Sequence, residues 1–271
     1  MRTDLAHEIA SRKALKSGLT LEQAAIGGVE VTRIRINRQA SEKTGKPVGT
    51  YVTLFCPEKQ TAAETAALAR IISEMLPVHE SGGSEMVALV TGLGNENITP
   101  DSLGVRAAGK VLATAHLSGY SEFDQLNIRK VYVVQPGVMA QTGMESAAQL
   151  KLIAGGITPD CLIVIDSLAC GERERLGTTI QVTDAGISPG SGVKNERKEF
   201  SRRAFGVPVI AIGVPTVIDW SLGESDSPET LMLVPRDIDL VISHFSKVIS
   251  GAINRALNPD LDESEIEQLL V

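Results

Sequence analysis

The sequence predicts an α/β fold, a three-layer sandwich around a mostly parallel sheet with an N-terminal β-hairpin extension. From residue 86 onward, short and almost wholly apolar segments alternate with helical patterns, which is typical of a buried parallel sheet with helices on both faces. Before residue 60, two segments alternate apolar and polar residues, as strands do when one face meets water. The chain has 271 residues, of which 43% are hydrophobic, and this is enough for one large core. We therefore expect a single domain over residues 1–271.

The N-terminal part is predicted to contain a helix, a hairpin and a second helix. Residues 4–17 place apolar side chains near one helical face, so residues 1–20 are assigned to an N-terminal helical segment. The segments VEVTRIRIN and GTYVTLFC, which start at Val29 and Gly49, flank the turn-forming SEKTGKPV, so residues 21–60 are assigned to the hairpin extension. The segment TAAETAALARIISEML, residues 61–76, has the composition and spacing of a helix.

The remainder is predicted to alternate strands and helices. The strands are expected at MVALVTG, KVYVVQ, CLIVID, TTIQVTD and VPVIAIG, as members of the buried parallel sheet. Helices are expected to start at Thr99, near Gly143 and after Pro235. The acidic tail has a helix start signal at Asp262.

Composition excludes several function classes. A net charge of -7 supplies no basic field for nucleic acid, and an aromatic content of 3% makes stacking platforms for bases or sugars hard to build. Three cysteines without CxxC spacing indicate neither a disulfide framework nor a zinc site. The N-terminus has no apolar core of a signal peptide, and no apolar run approaches the ~20 residues that span a bilayer. We expect a cytoplasmic protein that binds neither nucleic acid nor membrane.

Carboxylates that follow apolar strands are the candidate functional residues, because open α/β sheets bind ligands at the carboxyl ends of their strands. Asp101 follows the loop GLGNENITP, which contains Asn95; Asp166 follows CLIVI; Asp184 follows TTIQVT. Each has a purely structural alternative. A first-turn carboxylate such as Asp101 complements a helix dipole, and Asp166 could cap a turn through its own backbone.

The glycine-rich loops do not match a nucleotide site. The loop from Gly92 has Asn97 where a dinucleotide fingerprint needs its third glycine, and the loop containing Gly190 and Gly192 leads to Lys194 without the glycine of a Walker A motif. No HExxH zinc helix is present. We therefore expect no cofactor and no metal, and interpret Gly190 and Gly192 as close backbone approaches that shape a site.

Two carboxyl groups that face one water can hydrolyse a peptide bond. One must be ionised and act as a base, while the other stays protonated and donates to the amide. Two like charges at short separation favour this division, because both cannot ionise at low cost. Asp101 and Asp166, each at the carboxyl end of its own strand, could converge on one edge of the sheet.

Several segments resemble the germination proteases, endopeptidases of spore-forming bacteria. These are RTDLAHE at Arg2, GLGNENITPDSLG at Gly92, QPGVMAQTGMES at Gln135, CLIVIDSLA at Cys161, TTIQVTDAGISPGSGVKNERKEF at Thr178 and VPVIAIGVPTVID at Val207. The resemblance implies an aspartic endopeptidase of the spore core that degrades small acid-soluble spore proteins, with a fold related to the hydrogenase maturation proteases. It also implies that Asp101 and Asp166 are the catalytic pair.

The resemblance further implies a homotetramer and a zymogen that is processed after an acidic residue preceding an apolar one. The bond between Asp4 and Leu5 fits that pattern, and we expect any propeptide to be only a few residues long. Ser188 stands where we expect many relatives to carry histidine, so a role that needs an imidazole could not be performed here.

Two other functions remain open at this point. A metal-assisted peptidase of the maturation type would use the carboxylates as ligands for a hard cation. A non-catalytic protein would instead hold an acidic peptide or a small anion on the amides of its glycine loops.

Overall fold

A computed structural model describes residues 3–10, 18–78, 86–120, 128–189, 198–221 and 230–270. Its nine described strands form one sheet in the order β1-β2-β3-β7-β8-β6-β4-β5, and β9 pairs with the distal part of β8. The strands are β1 Leu19–Ile26, β2 Val29–Ile36, β3 Gly49–Phe55, β4 Val87–Gly92, β5 Lys130–Val134, β6 Cys161–Cys170, β7 Thr179–Thr183, β8 Val209–Ser221 and β9 Thr230–Leu233.

The sheet has a parallel half and an antiparallel half. Strand β4 pairs in parallel with β5 and β6, and β6 pairs in parallel with β8. On the other side, β1, β2, β3, β7 and β8 pair in sequence, and each of these pairings is antiparallel. The α/β class and the N-terminal ribbon agree with the prediction, but the sheet is mixed: three of its described pairings are parallel and five are antiparallel.

Helices cover both faces of the sheet. They are α1 Ala6–Ala10, α2 Arg38–Thr44, α3 Thr61–Met75, α4 Leu103–Ala108, α5 Met139–Thr142, α6 Ser146–Ile157, α7 Arg202–Phe205, α8 Ile238–Leu257 and α9 Glu263–Leu269. Helices α3, α4 and α8 pack on one face, while α6 and Phe200 pack on the other. The result is the predicted three-layer sandwich. Within the described part of the chain, each helix is either too short or too polar to cross a bilayer.

Alternation along β6 distributes its apolar side chains between the two layers. Ile163 and Ile165 join the core under α3 and α8, whereas Leu162 and Val164 join the core under α6, and all four are fully buried. A strand that is covered on both faces must be apolar at consecutive positions, which is the pattern that the sequence shows.

Several predicted elements are confirmed. Strands β2 and β3 form the expected hairpin, α3 and α8 lie where expected, and the Asp262 side chain caps α9. The N-terminal helix begins at Ala6, two residues later than expected, and is described to Ala10; the rest of the predicted helix, residues 11–17, lies outside the described residues. Strand β1 was not predicted, because most of its side chains are exposed and its sequence lacks the apolar alternation of β2.

One strand was assigned the wrong direction. The segment TTIQVTD was expected in the parallel sheet, but β7 runs antiparallel to both neighbours, β3 and β8. All five residues of β7 are buried because strands flank it on both sides and helices cover the sheet. Burial on both faces therefore gives an antiparallel strand the same pattern as a parallel one.

Candidate active site

The loop after β4 is held tightly against the start of α4. A Cβ built on Gly92 would lie 2.0 Å from the carbonyl oxygen of Gly104, so only glycine lets the strand and helix approach this closely. Gly94 has φ +110, and a Cβ there would lie 1.9 Å from the carbonyl oxygen of Asp101. These glycines fix where Asp101 sits relative to the end of β4.

Asp101 is the last residue of a 3₁₀ helix, Thr99–Asp101, that precedes α4, and it is partly exposed. The backbone amide of Asn95 donates to Asp101 Oδ2 at 2.8 Å. The side-chain oxygen of Asn95 accepts from the amide of Asn97 at 3.0 Å and from Nε2 of Gln141 at 3.2 Å. The structure thus brings Asn95 and Asp101 together, and Gln141 of α5 joins the loop.

Asp166 lies within β6 rather than at its end. The prediction that the strand stops at Asp166 is wrong, because β6 continues to Cys170 beside β8, with a register shift after Leu168. The neighbour on the other side, β4, does stop here: its last pair joins Gly92 to Ile165. Asp166 is therefore the first residue of β6 beyond the end of β4. It is 5% exposed, and its Oδ1 accepts from the amide of Ser167 at 2.9 Å.

The two predicted catalytic carboxylates lie at the same edge of the sheet. The amide of Leu93 donates to the carbonyl of Ile165 at 2.8 Å, so the chain that leaves β4 stays beside β6 at the residue before Asp166. The 3₁₀ helix that carries Asp101 contacts β6, β8 and α8. This is the edge at which open α/β sheets bind their ligands.

Asp184 lies at the opposite edge. It follows β7, and Thr183 of β7 pairs with Ala211 near the start of β8, whereas Asp166 pairs with Gly213 farther along β8. Its Oδ1 accepts from the amide of Thr50 at 2.6 Å, at the beginning of β3. The expectation that Asp184 stands at the carboxyl edge with the other two is therefore wrong, because β7 is antiparallel. Its carboxylate instead holds β3.

The glycine loop after Asp184 is described only in part, since Gly190 and Gly192 lie outside the described residues. Gly186, with φ +84, turns the chain against Phe200, and Ile187 pairs with Phe200 in an isolated antiparallel bridge. Ile187 also packs against a small cluster that contains Leu168 of β6. The stem of the loop, up to the partly exposed Ser188, thus lies beside β6 just past Asp166.

The proposed processing bond is enclosed by the fold. The carbonyl of Asp4 accepts from Lys46 Nζ at 3.0 Å and from Gln181 Nε2 at 3.2 Å, and the amide of Leu5 donates to Thr3 Oγ1 at 3.0 Å. The Leu5 side chain is fully buried. Both residues of the bond therefore belong to a docked N-terminal segment in this conformation.

Sequence reasoning missed Glu8, Lys46 and Gln181, which hold this segment. Glu8 is 2% exposed and accepts from the amides of Gly171 and Glu172. Burial lowers the pKa of Lys46, while Asp4 and Glu8 act in the opposite direction. Glu8 belongs to the sequence motif RTDLAHE. No rule of sequence spacing predicts that this motif contacts Lys46 or the residues around the end of β6, which are distant in the chain.

The cysteines have no sign of a nucleophilic role. Burial raises the pKa of Cys161 and of Cys170 to about 12, so both are thiols near neutral pH. Cys56 is also buried, and its pKa is raised for the same reason and by Glu64. Among the described residues, no group of three His, Cys, Asp or Glu side chains is arranged to hold a metal ion.

The chain is similar to known proteins, and its curated relatives cover its whole length. A family profile described as germination protease matches residues 2–229. The germination protease of Caldanaerobacter subterraneus subsp. tengcongensis is 38% identical, over 100% of this chain and 98% of the relative. That of Clostridium tetani is 34% identical, over 100% of this chain and 99% of the relative. A solved [NiFe] hydrogenase maturation protease, HycI from Thermococcus kodakarensis KOD1, has a TM-score of 0.36 at 15% identity, covering 68% of this chain and 98% of that one.

Proposed function

The chain belongs to the germination protease family of peptidases, and we propose that it initiates the degradation of small acid-soluble spore proteins, with Asp101 and Asp166 as its catalytic pair. One observation carries the choice of residues. Asp166 is the first residue of β6 beyond the end of β4, and Asp101 is held by the loop that leaves β4 at the same edge. Asp184 has no place in this pair, because it lies at the other edge.

The pair would work on a water molecule between the two carboxyl groups. The ionised carboxylate takes a proton from the water as its oxygen attacks the peptide carbonyl carbon, and the protonated partner donates to the carbonyl oxygen. When the C–N bond breaks, the proton taken from the water is delivered to the departing amine, and a hydroxyl of the tetrahedral intermediate returns its proton to the other aspartate as the carbonyl re-forms. The Asn95 amide and the Ser167 amide each donate to one of the carboxylates, which supports a fixed orientation of both.

Replacement of either aspartate by asparagine tests the pair. Asp101→Asn and Asp166→Asn should each lower kcat on a purified small acid-soluble spore protein by about 10³-fold, because an amide can neither accept nor supply the proton. Thermal unfolding should show that both variants fold. Asp239→Asn, at an exposed position in the first turn of α8, is the matched control and should retain full turnover. Full activity in both site variants would refute the assignment.

Cleavage after an acidic residue is the second part of the proposal. Mass spectrometry of the fragments from the same digestion should show that each new C-terminus is Asp or Glu. Cuts elsewhere would overturn the proposed specificity without affecting the catalytic pair. The proposed substrates lie in the spore core, which is therefore the proposed location of this chain.

Processing at the bond between Asp4 and Leu5 and assembly into a homotetramer complete the proposal. Because this bond is enclosed, cutting requires the N-terminal segment to leave β6, so the intact mass should change only after that release.

The support for assembly is a group of exposed apolar side chains from β9 to the start of α8. They are Met232, Leu233, Val234 and Leu240. Sedimentation of the full chain should give four subunits, and a monomer would contradict the assembly.

A further inference from the structure

Strand β6 extends beyond the support of its neighbour β4. The last bond on that side joins the amide of Leu93 to the carbonyl of Ile165, and β6 continues from Asp166 to Cys170. On the other side, β8 follows it, but the register shifts after Leu168. A strand that loses a neighbour exposes backbone groups and becomes easier to open locally. Asp166 stands at the start of this less supported stretch.

The N-terminal segment covers the open edge. The amide of Asp4 donates to the carbonyl of Ala169 at 2.9 Å, and the amide of Ala169 donates to Asp4 Oδ2 at 2.8 Å. Farther along, the amide of Gly171 donates to both carboxylate oxygens of Glu8, at 3.1 and 2.8 Å, and that of Glu172 donates to Oε1 at 3.0 Å. These bonds take the place of the ladder that β4 would have supplied.

Apolar packing and a lysine hold the segment in place. The fully buried Leu5 packs with Leu168, Cys170 and Ile218, on β6 and β8. Lys46 Nζ donates to the carbonyls of Thr3 and Asp4, at 3.1 and 3.0 Å. Burying a carboxylate costs free energy because it loses its hydrogen bonds to water, unless amide donors and a nearby cation replace them. For the buried Glu8, the amides of Gly171 and Glu172 and the nearby Lys46 do so.

We propose that residues 4–8 form a strap that positions Asp166, with Glu8 as its main positioning residue. The strap fixes the part of β6 that β4 does not reach, and the Asp166 carboxylate is thereby held in the orientation that catalysis needs. Asp4 does not itself touch the reacting atoms, because it bonds to Ala169, three residues and so roughly 10 Å along the strand from Asp166. The inference rests on the proposed role of Asp166. Glu8 lies after the proposed processing bond and would remain in a processed chain.

Three substitutions of Glu8 distinguish the effect of its hydrogen bonds from the effect of its charge. Glu8→Ala removes the acceptor, and Glu8→Asp keeps the charge but is too short to reach the amides. Glu8→Gln retains Oε1, the oxygen that accepts from both Gly171 and Glu172. With a purified small acid-soluble spore protein as substrate, we expect kcat to fall about 10-fold to 100-fold for Ala and Asp with KM unchanged, since small misplacements of a reacting group have effects of this size. Gln should restore only part of the wild-type kcat, because its NH2 group replaces the Oε2 that accepts from Gly171 at 2.8 Å; Glu42→Ala, on the surface of α2, is the control.

Hydrogen exchange provides the second measurement on the same full-length variants. The amides of Ala169, Gly171 and Glu172 should exchange faster in Glu8→Ala, or in Glu8→Asp if the alanine variant does not fold, while those of α8 stay protected. Faster exchange with a wild-type kcat would overturn the inference, because the strap would then support β6 without positioning Asp166. Full activity in Asp166→Asn would refute the catalytic pair instead, and a protected Ala169 amide in the Glu8 variants would overturn the strap in either case.

Discussion

Both halves of the sheet carry an aspartate directly after a run of buried strand residues, but these aspartates lie at opposite edges of the sheet. In the parallel half, β4, β6 and β8 point the same way, so the chain segments that follow them meet at one edge, where Asp101 and Asp166 lie. In the antiparallel half, β7 points the other way, and Asp184 ties down the start of β3 at the opposite edge. A carboxylate after a strand therefore indicates a functional site only when the direction of that strand is known.

The largest effect expected from a single backbone change lies in the parallel half. Gly94→Ala should lower kcat at least about 100-fold, because the new methyl group would collide with the Asp101 carbonyl and displace the carboxylate. Gly143→Ala is a matched control, since Gly143 also has positive φ, +72, but a Cβ there meets open space. Gly143→Ala should lose about 1 kcal/mol of unfolding free energy in denaturant titration from its left-handed backbone, and Gly94→Ala should lose more because of the added collision. Equal kcat in the two variants would contradict the coupling of Gly94 to Asp101.

Sequence patterns predicted the layers well and the strand ends poorly. Consecutive apolar residues in β4 and β6 follow from burial on both faces, so the core and its covering helices could be expected. The extension of β6 past Asp166 depends on β8 continuing beside it and on residues 4–8 covering its free edge, and these are contacts between distant parts of the chain. The direction of β7 likewise depends on its pairing with β3 and β8, which its own five buried residues do not encode.

The residues of the candidate site also divide into those that the sequence could predict and those that it could not. Asp101, with its loop glycines and Asn95, could be found because a strand, a turn and a helix start follow one another locally. Glu8 could not be found, because its partners are backbone amides more than 160 residues away, and backbone amides leave no mark in the sequence.

A smaller effect is expected from Asp184, in the antiparallel half. Asp184→Ala removes the acceptor for the Thr50 amide, which should lower the free energy of unfolding by about 1 kcal/mol, the usual contribution of one such bond. Turnover of the spore protein at a temperature where the variant is fully folded should stay within about twofold of wild type, because no transition-state group is lost. A loss of kcat as large as that of Asp166→Asn would contradict this difference between the two edges of the sheet. It would mean that the loop after Asp184 contributes to catalysis.

The smallest effect concerns an ion pair that joins the antiparallel half to its covering helix. Arg33 of β2 donates to Glu74 of α3, and this bond, with help from Arg70, lowers the pKa of Glu74. A carboxyl whose pKa is lowered by folding stabilises the protein above its ordinary pKa, and that contribution disappears as the pH falls through the lowered value. Because the Glu74 side chain is 37% exposed, solvent screening limits the contribution to a few tenths of a kcal/mol.

Urea unfolding of Glu74→Gln should therefore show a small loss of stability at pH 7 that starts to shrink below the ordinary Glu pKa of 4.5 and is gone below the lowered pKa of Glu74. Glu42→Gln, whose carboxylate is 73% exposed and 3.9 Å from Arg38, is the control and should lose no measurable stability at pH 7. The kcat of Glu74→Gln should equal that of wild type at every pH at which both are folded. A shift in the pH profile of kcat would mean that a charge in the antiparallel half acts across the sheet on the carboxylates proposed as catalytic, and the proposed separation of stability from chemistry between the two halves would fail.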